Sequence, residues 1–232
     1  LIIRTRAQGV AAEMLRTEAE ILSDLWLDIE ATLQTMKPPA CVHESPGAIT
    51  KYLMDRGDPA WQRIVVDDRA TMSRFAEICA DMMPGLSELL ELAEDQVAML
   101  ETHDLDQQID DLLQPHVSLP SGGQLIIEET AALVAIDVDS GAHTRDRDPE
   151  KFALAVNAEA VQEIARQIIL RNLSGQIVID MLPLKRRESR DKIQSIFSQA
   201  LAGDGANCNI FGFSRLGNLE LTRRRMGESL VQ

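Results

Sequence analysis

The chain has 232 residues, 45% of them hydrophobic and 26% charged, a balance that fits an ordinary globular protein and excludes the disordered, collagenous and small disulfide-stapled classes. No apolar run reaches the roughly 18 residues that a membrane helix needs, so no membrane partner is expected. The formal net charge of -14, from 37 acidic and 23 basic residues, argues at first sight against a polyanionic partner. Its distribution is uneven. Residues 1–115 carry 22 acidic and 9 basic groups, whereas 116–232 carry 15 and 14, with basic clusters at Lys185-Arg186-Arg187, Arg190, Lys192 and Arg223-Arg224-Arg225. A local basic surface is therefore available in the second half.

The chain opens on Leu1-Ile2-Ile3-Arg4-Thr5, which reads as a strand rather than a signal peptide. An excised or processed fragment is expected from that start without methionine. From Val10 to Met36 apolar residues recur at three- and four-residue steps, predicting one long amphipathic helix that ends before Pro38-Pro39. A short extended run at Ala40–His43, a helix over Ala48–Met54, a strand over Trp61–Val66 and a helix over Thr71–Met82 follow. The acidic stretch Leu86–Asp111 reads as mostly helical. Pro120-Ser121-Gly122-Gly123 is a turn leading into a hairpin of Gln124–Glu128 and Ala131–Val138. Then come a helix over Pro149–Arg171, a strand over Gln176–Met181, a helix over Arg186–Leu201, and strands at Cys208–Phe213 and Asn218–Thr222. This alternation predicts an α/β fold.

Cys41, Cys79 and Cys208 lie far apart without a Cys-x-x-Cys pair, so reduced thiols and a cytoplasmic location are expected rather than a disulfide framework or thiolate zinc site. His43, His103, His116 and His143 have no zinc spacing. There is no Gly-x-Ser-x-Gly elbow and no phosphate-binding loop ending in Lys-Ser/Thr. Two aspartates stand out because each terminates an apolar strand, in Ala135-Ile136-Asp137-Val138-Asp139 and Ile177-Val178-Ile179-Asp180. Ligands of open α/β sheets gather at the carboxyl ends of strands, and magnesium binds through one or two carboxylates plus water and phosphate oxygens. Asp137 and Asp180 thus outline a hard-cation site, with Asp139 on the same face as a third ligand or an orienting neighbour. The competing reading is that such aspartates cap the turns that follow them.

Six ordered motifs carry a resemblance: Leu119-Pro120-Ser121-Gly122-Gly123, Ala135-Ile136-Asp137-Val138-Asp139-Ser140, Asn157-Ala158-Glu159-Ala160 with Glu163-Ile164-Ala165-Arg166-Gln167, Ile177-Val178-Ile179-Asp180, Phe213-Ser214-Arg215-Leu216-Gly217, and Glu220-Leu221-Thr222-Arg223. Together they resemble the catalytic region of the ribonuclease E/G family, strongly over 116–230 and more weakly before. The resemblance implies mixed sheets with flanking helices in three parts: the end of a 5′-sensor region with its long helix (1–48), an RNase H-like subdomain (49–115) and a DNase I-like catalytic subdomain (116–232). It implies magnesium, with manganese as a substitute, held by Asp137 and Asp180. An asparagine that orients the first aspartate in relatives is replaced here by Asp139. Arg4-Thr5 matches a 5′-monophosphate-sensing pair, but the arginine that completes that pocket falls at Asn207. The S1-type barrel and the Cys-Pro-x-Cys zinc link of relatives have no counterpart in the sequence, and no zinc link is expected in this chain.

The expected function is a magnesium-dependent endoribonuclease acting on single-stranded RNA. Arg215, Arg223, Arg224 and Arg225 are the candidates for positioning the RNA backbone, and homo-oligomerisation is left open. The alternative is a catalytically weakened relative that acts as an RNA- or protein-binding module.

Overall fold

The computed structural model describes residues 2–3, 7, 11–43, 47, 49, 51–53, 61–82, 84–93, 101, 103–141 and 148–231. They fall into two units, Leu1–Met99 and Leu100–Gln232. The first unit therefore spans the expected 1–48 segment and most of the expected 49–115 segment, while the remainder of the latter joins the second unit. No helix among the described residues is long and apolar enough to cross a membrane.

In the first unit the three- and four-residue apolar spacing yields α1 (Ala12–Thr35), as predicted. Its Leu22, Trp26 and Leu33 remain exposed. Strand β1 (Ile64–Val66), helix α2 (Arg69–Met82), the single turn α3 (Pro84–Ser87) and strand β2 (Leu90–Leu92) follow. Asp68 opens α2, its carboxylate accepting from the Thr71 backbone N–H at 2.7 Å, a bond that satisfies a free helix donor. The two strands pair in parallel, Ile64 opposite Leu90 and Val66 opposite Leu92, over a small cluster of Leu53, Val66 and Phe75.

β2 corrects the helical reading of Leu86–Asp111. Its Leu-Glu-Leu alternation is too short to register against the acidic helical pattern around it, and only pairing with β1 makes it a strand. The extended run predicted at Ala40–His43 forms no strand, and the strand predicted from Trp61 begins at Ile64. Of the Leu1–Thr5 strand only Ile2 and Ile3 are described, and they are exposed and not in a strand; of the Ala48–Met54 helix Ile49 and Lys51–Leu53 are helical, and the other residues of both segments lie outside the described residues.

The second unit opens with α4 (Leu105–Leu113) and β3 (His116–Ser118). The strand is a short edge element that the sequence did not announce. After it come β4 (Gln124–Glu129), β5 (Val134–Asp139), α5 (Pro149–Leu170), β6 (Gly175–Asp180), α6 (Arg187–Ala200), β7 (Cys208–Phe213) and β8 (Leu219–Arg223). The sheet order is β3-β4-β5-β6-β8-β7. Only β5 and β6 run parallel; the other neighbours are antiparallel. A parallel pair needs a crossover, and α5 provides it. Asp148 caps that helix by accepting from the Glu150 backbone N–H at 3.1 Å, ahead of Pro149 at its first position.

One face of the sheet forms the core. Ile136, Ile177, Ile179, Leu219 and Leu221 point into it and meet Ala160, Ile164 and Ile168 of α5 and Ile193 and Phe197 of α6. The alternate residues occupy the opposite face, where Asp137, Asp139 and Asp180 are exposed and Ala135, Val178 and Glu220 half-buried. Phe197 is fully buried, and Phe197→Ala removes about 3–5 kcal/mol from the second unit. Urea titration should show a lower midpoint for that unit with an unchanged slope.

Candidate functional site

Parallel register decides where the acids lie. Ala135 stands opposite Val178, Ile136 opposite Ile179, and Asp137 opposite Asp180. Because side chains alternate, burying the two isoleucines forces both aspartates onto the open face, on strands about 4.8 Å apart. They share an open cavity of about 230 Å³ with Glu128, Val178 and Asn218. Asn218 follows from the pairing of Ile179 with Leu219, which brings the start of β8 beside the end of β6.

The electrostatic consequence appears at Asp137. Its carboxyl is held above the ordinary value, first by partial loss of hydration and then by the negative charges of Asp180 and Asp139, against a backbone N–H at Val138 that favours the anion. Two carboxylates facing each other at the ends of paired strands are donors of the kind that could hold a hard cation, because positive charge between them would relieve their repulsion. Asp139 is near enough for its charge to act on Asp137 but has hydrogen-bond donors of its own. Its Oδ1 accepts from the Gly141 backbone N–H at 3.0 Å and its Oδ2 from Gln124 Nε2 at 3.3 Å, so its carboxylate is used to shape its own turn. Of the two expectations for Asp139, third ligand or orienting neighbour, these bonds favour the neighbour; among the described residues no group of three or more His, Cys, Asp or Glu is arranged around an ion position.

Helix α5 fixes the loops on both sides of the pair. Asn157 is fully buried; its Nδ2 donates to the Leu182 carbonyl at 2.8 Å while its Oδ1 accepts from the Leu182 N–H at 3.1 Å. Glu150 accepts from the backbone N–H groups of Lys185 and Arg186 at 3.0 and 3.1 Å, and these bonds hold its carboxyl below the usual range. Glu159 accepts from the Ser121 N–H at 3.0 Å, securing the Pro120–Gly123 turn. Gly123 is required there: a Cβ at that position would stand 2.7 Å from the Asp139 carbonyl oxygen. The sequence reading missed Asn157 and Glu150 as positioning residues. The available signal was an asparagine on the apolar stripe of Ala153, Val156, Ala160 and Ile164.

The arginines separate. Arg215 is exposed in the β7–β8 turn, closed by the Gly217 N–H donating to the Ser214 carbonyl at 3.1 Å, at the same end of the sheet as Asp180. Arg223 pairs with Gly175 at the opposite end of β6, about 17 Å away along the strand. Arg224 and Arg225 are exposed beyond it, beside Asn207, whose carbonyl accepts from the Arg224 N–H. They are therefore not brought to the two acids, because β8 runs antiparallel to β6 and carries them away.

Arg223 is not an RNA-facing residue at all, which corrects that expectation. It is buried, with Nε 2.7 Å from Asp204 Oδ2 and Nη1 donating to Asn172 Oδ1 at 3.0 Å and the Leu173 carbonyl at 2.9 Å. Arg223 occupies a core-facing position of β8, and its charge is neutralised there. Burial works against the Asp204 charge, but the hydrogen bonds from Arg223 and Ala206 overcome it and hold the carboxyl below its ordinary range. Burial, the hydrogen bond to Asp204 and that residue's charge push the neighbouring Cys208 thiol up to about 11. Arg4 and Thr5 lie outside the described residues.

The family model described as "Ribonuclease E/G family" matches residues 1–226. Among curated proteins, the chain is similar to Ribonuclease E of Nostoc sp. (strain PCC 7120), with 34% identity over 235 residues that cover 100% of this chain and 34% of the relative. It is similar to Ribonuclease G of Salmonella typhimurium, at 34% identity over 232 residues, covering 99% of this chain and 47% of the relative. Ribonuclease G of Escherichia coli K12 is 33% identical over 232 residues with the same shares. The chain thus spans between a third and a half of the length of the curated relatives it matches.

Two measurements test these electrostatic assignments. Arg223→Ala removes the cation that faces the buried Asp204 carboxylate and costs about 3–5 kcal/mol, whereas Arg224→Ala stays within about 0.5 kcal/mol. Since the folded pKa of Asp204 is depressed, its contribution is full above the ordinary carboxylate pKa and is lost as pH falls through the folded value. The gap between parent and Arg223→Ala should therefore narrow on acidification. At Asp137 the sign reverses: a raised folded pKa means that stability falls as pH rises through the interval between the ordinary and the raised value. Asp137→Asn should raise the melting temperature in EDTA at neutral pH, and added magnesium or manganese should raise that of the parent but not of the variant.

Proposed function

Because the chain belongs to the ribonuclease E/G family, we propose that it carries the hydrolytic centre of a cytoplasmic endoribonuclease for single-stranded RNA, with magnesium or manganese held between Asp137 and Asp180. The observation that carries this reading is the register that sets these two carboxylates opposite each other at the exposed end of a parallel strand pair. A divalent cation held there would supply Lewis acidity toward a phosphodiester and make a water molecule a better nucleophile.

The chain's own groups have distinct tasks. Asp137 and Asp180 would hold the cation, since their mutual repulsion favours binding of positive charge. Asn218 presents an amide to the same cavity and orients a phosphate oxygen or water. Arg215, exposed on the turn at that end, binds the RNA backbone. Asp139 keeps the β5 turn in shape, so that Asp137 leaves the strand at a fixed angle. Residues 116–232 are read as the DNase I-like catalytic subdomain, 49–115 as an RNase H-like one and 1–48 as the end of a 5′-sensor region. Arg224 and Arg225, beside Asn207 at the far end of the sheet, serve RNA binding away from the cleavage site.

The test is incubation of the purified chain with a 5′-labelled, AU-rich single-stranded RNA, with and without magnesium. Asp137→Asn and Asp180→Asn should each lower the cleavage rate at least about a hundredfold, the several kcal/mol expected for loss of a metal-centred stabilisation. Retention of RNA with no metal-dependent product from the parent chain would favour the weakened, binding-only relative instead.

A further inference from the structure

Asp180 borders a second cavity of about 250 Å³, lined also by Pro183, Lys185, Arg190, Phe213 and Leu216. Arg190, on α6, is held rigidly. Its Nε donates to the Leu184 carbonyl at 2.9 Å, and its guanidinium lies over the Phe213 ring, 5.7 Å from the centroid. That leaves both terminal nitrogens without a hydrogen-bond partner among the described residues. A guanidinium fixed at one nitrogen and one face, with two donors free, matches a phosphate oxygen pair. Lys185 adds a second cation, and Phe213, Pro183 and Leu216 supply an apolar wall of the kind that accepts a ribose or base edge.

The surroundings give this fork a purpose. The open face around Asp137 and Asp180 also carries Glu128 and Glu220, so a polyanion approaching the acid pair needs nearby positive charge. The cations that share a cavity with Asp180 are Lys185 and Arg190. We propose that this cavity is a nucleotide subsite, in which Arg190 grips the non-bridging oxygens of the phosphate next to the scissile one and Phe213 supports the attached sugar and base. This inference rests on the nuclease reading above and extends it to a phosphate that is not itself cleaved.

The experiment uses the full chain and a single-stranded RNA decamer with one preferred cleavage site. Binding is measured in EDTA over a range of KCl, and cleavage in magnesium, for the parent, Arg190→Ala, Arg190→Lys and, as a control on the same helix, Arg187→Ala. Arg190→Ala should weaken binding about tenfold and reduce the salt slope by about 0.7, the value for one lost phosphate contact to a single strand. Arg190→Lys should restore the slope but not the full affinity. Replacing RNA phosphates one at a time by neutral methylphosphonates should weaken parent binding at one position next to the cut, and that position should become silent in Arg190→Ala. Melting curves of the variants confirm that α6 stays folded, and Arg190→Lys carries the test if alanine does not fold. A parent that neither cuts nor retains the RNA overturns the nuclease reading and the subsite with it. Metal-dependent cleavage whose KM, salt slope and methylphosphonate pattern are unchanged in the Arg190 variants overturns the subsite alone.

Discussion

The parallel pairing of β5 with β6 is the constraint on which the site depends. One register places Ile136 against Ile179 in the core and, one step along, Asp137 against Asp180 in the open. The apolar contact is what makes the acidic one tolerable. Partial loss of hydration and, after it, like charges a strand apart hold the Asp137 carboxyl above its ordinary value, but sliding the strands to relieve this would expose fully buried isoleucines. The core thus imposes on the surface a concentration of negative charge that the surface would not adopt unaided.

Helix α5 extends that control from the strands to the loops. Through Glu150, Asn157 and Glu159 it binds backbone groups on the segments after β6 and before β4. Each is a polar side chain whose bonds are made across the fold, and the buried Asn157 has both sides of its amide satisfied, which is the condition for keeping such a group in a core without penalty. At the far end of the sheet, Arg223, Asp204 and Asn172 tie β8 to the loops that follow α5 and α6. The sheet therefore has a constrained acidic end and an internally neutralised end, with the exposed arginines 224 and 225 outside the latter.

Much of this was legible in the amino-acid order. Strand-end position alone singled out Asp137 and Asp180, since apolar runs ending in an acid have few interpretations, and the long helices followed from apolar spacing. What stayed hidden depended on partners remote in the chain. The Leu90–Leu92 strand exists through pairing with β1, and three residues carry no period to read. Arg223 looked like its two neighbours because a run of arginines says nothing about which one faces inward; the alternation of β8 decides it, and Asp204 lies 19 positions away. Asp139 was legible as a neighbour of the site but not as a turn former, since its bond to the Gly141 N–H depends on the backbone path after β5.

A side-chain period of two has a consequence for sequence drift. One residue gained or lost inside β5 or β6 would rotate every later side chain of that strand to the other face, sending an aspartate toward the helices and an isoleucine into water. Loops of this chain can lengthen and shorten, but these two strands can change only by substitution or by steps of two. Length variation among functional descendants should therefore be excluded from 134–139 and 175–180 while accumulating between the elements that flank them.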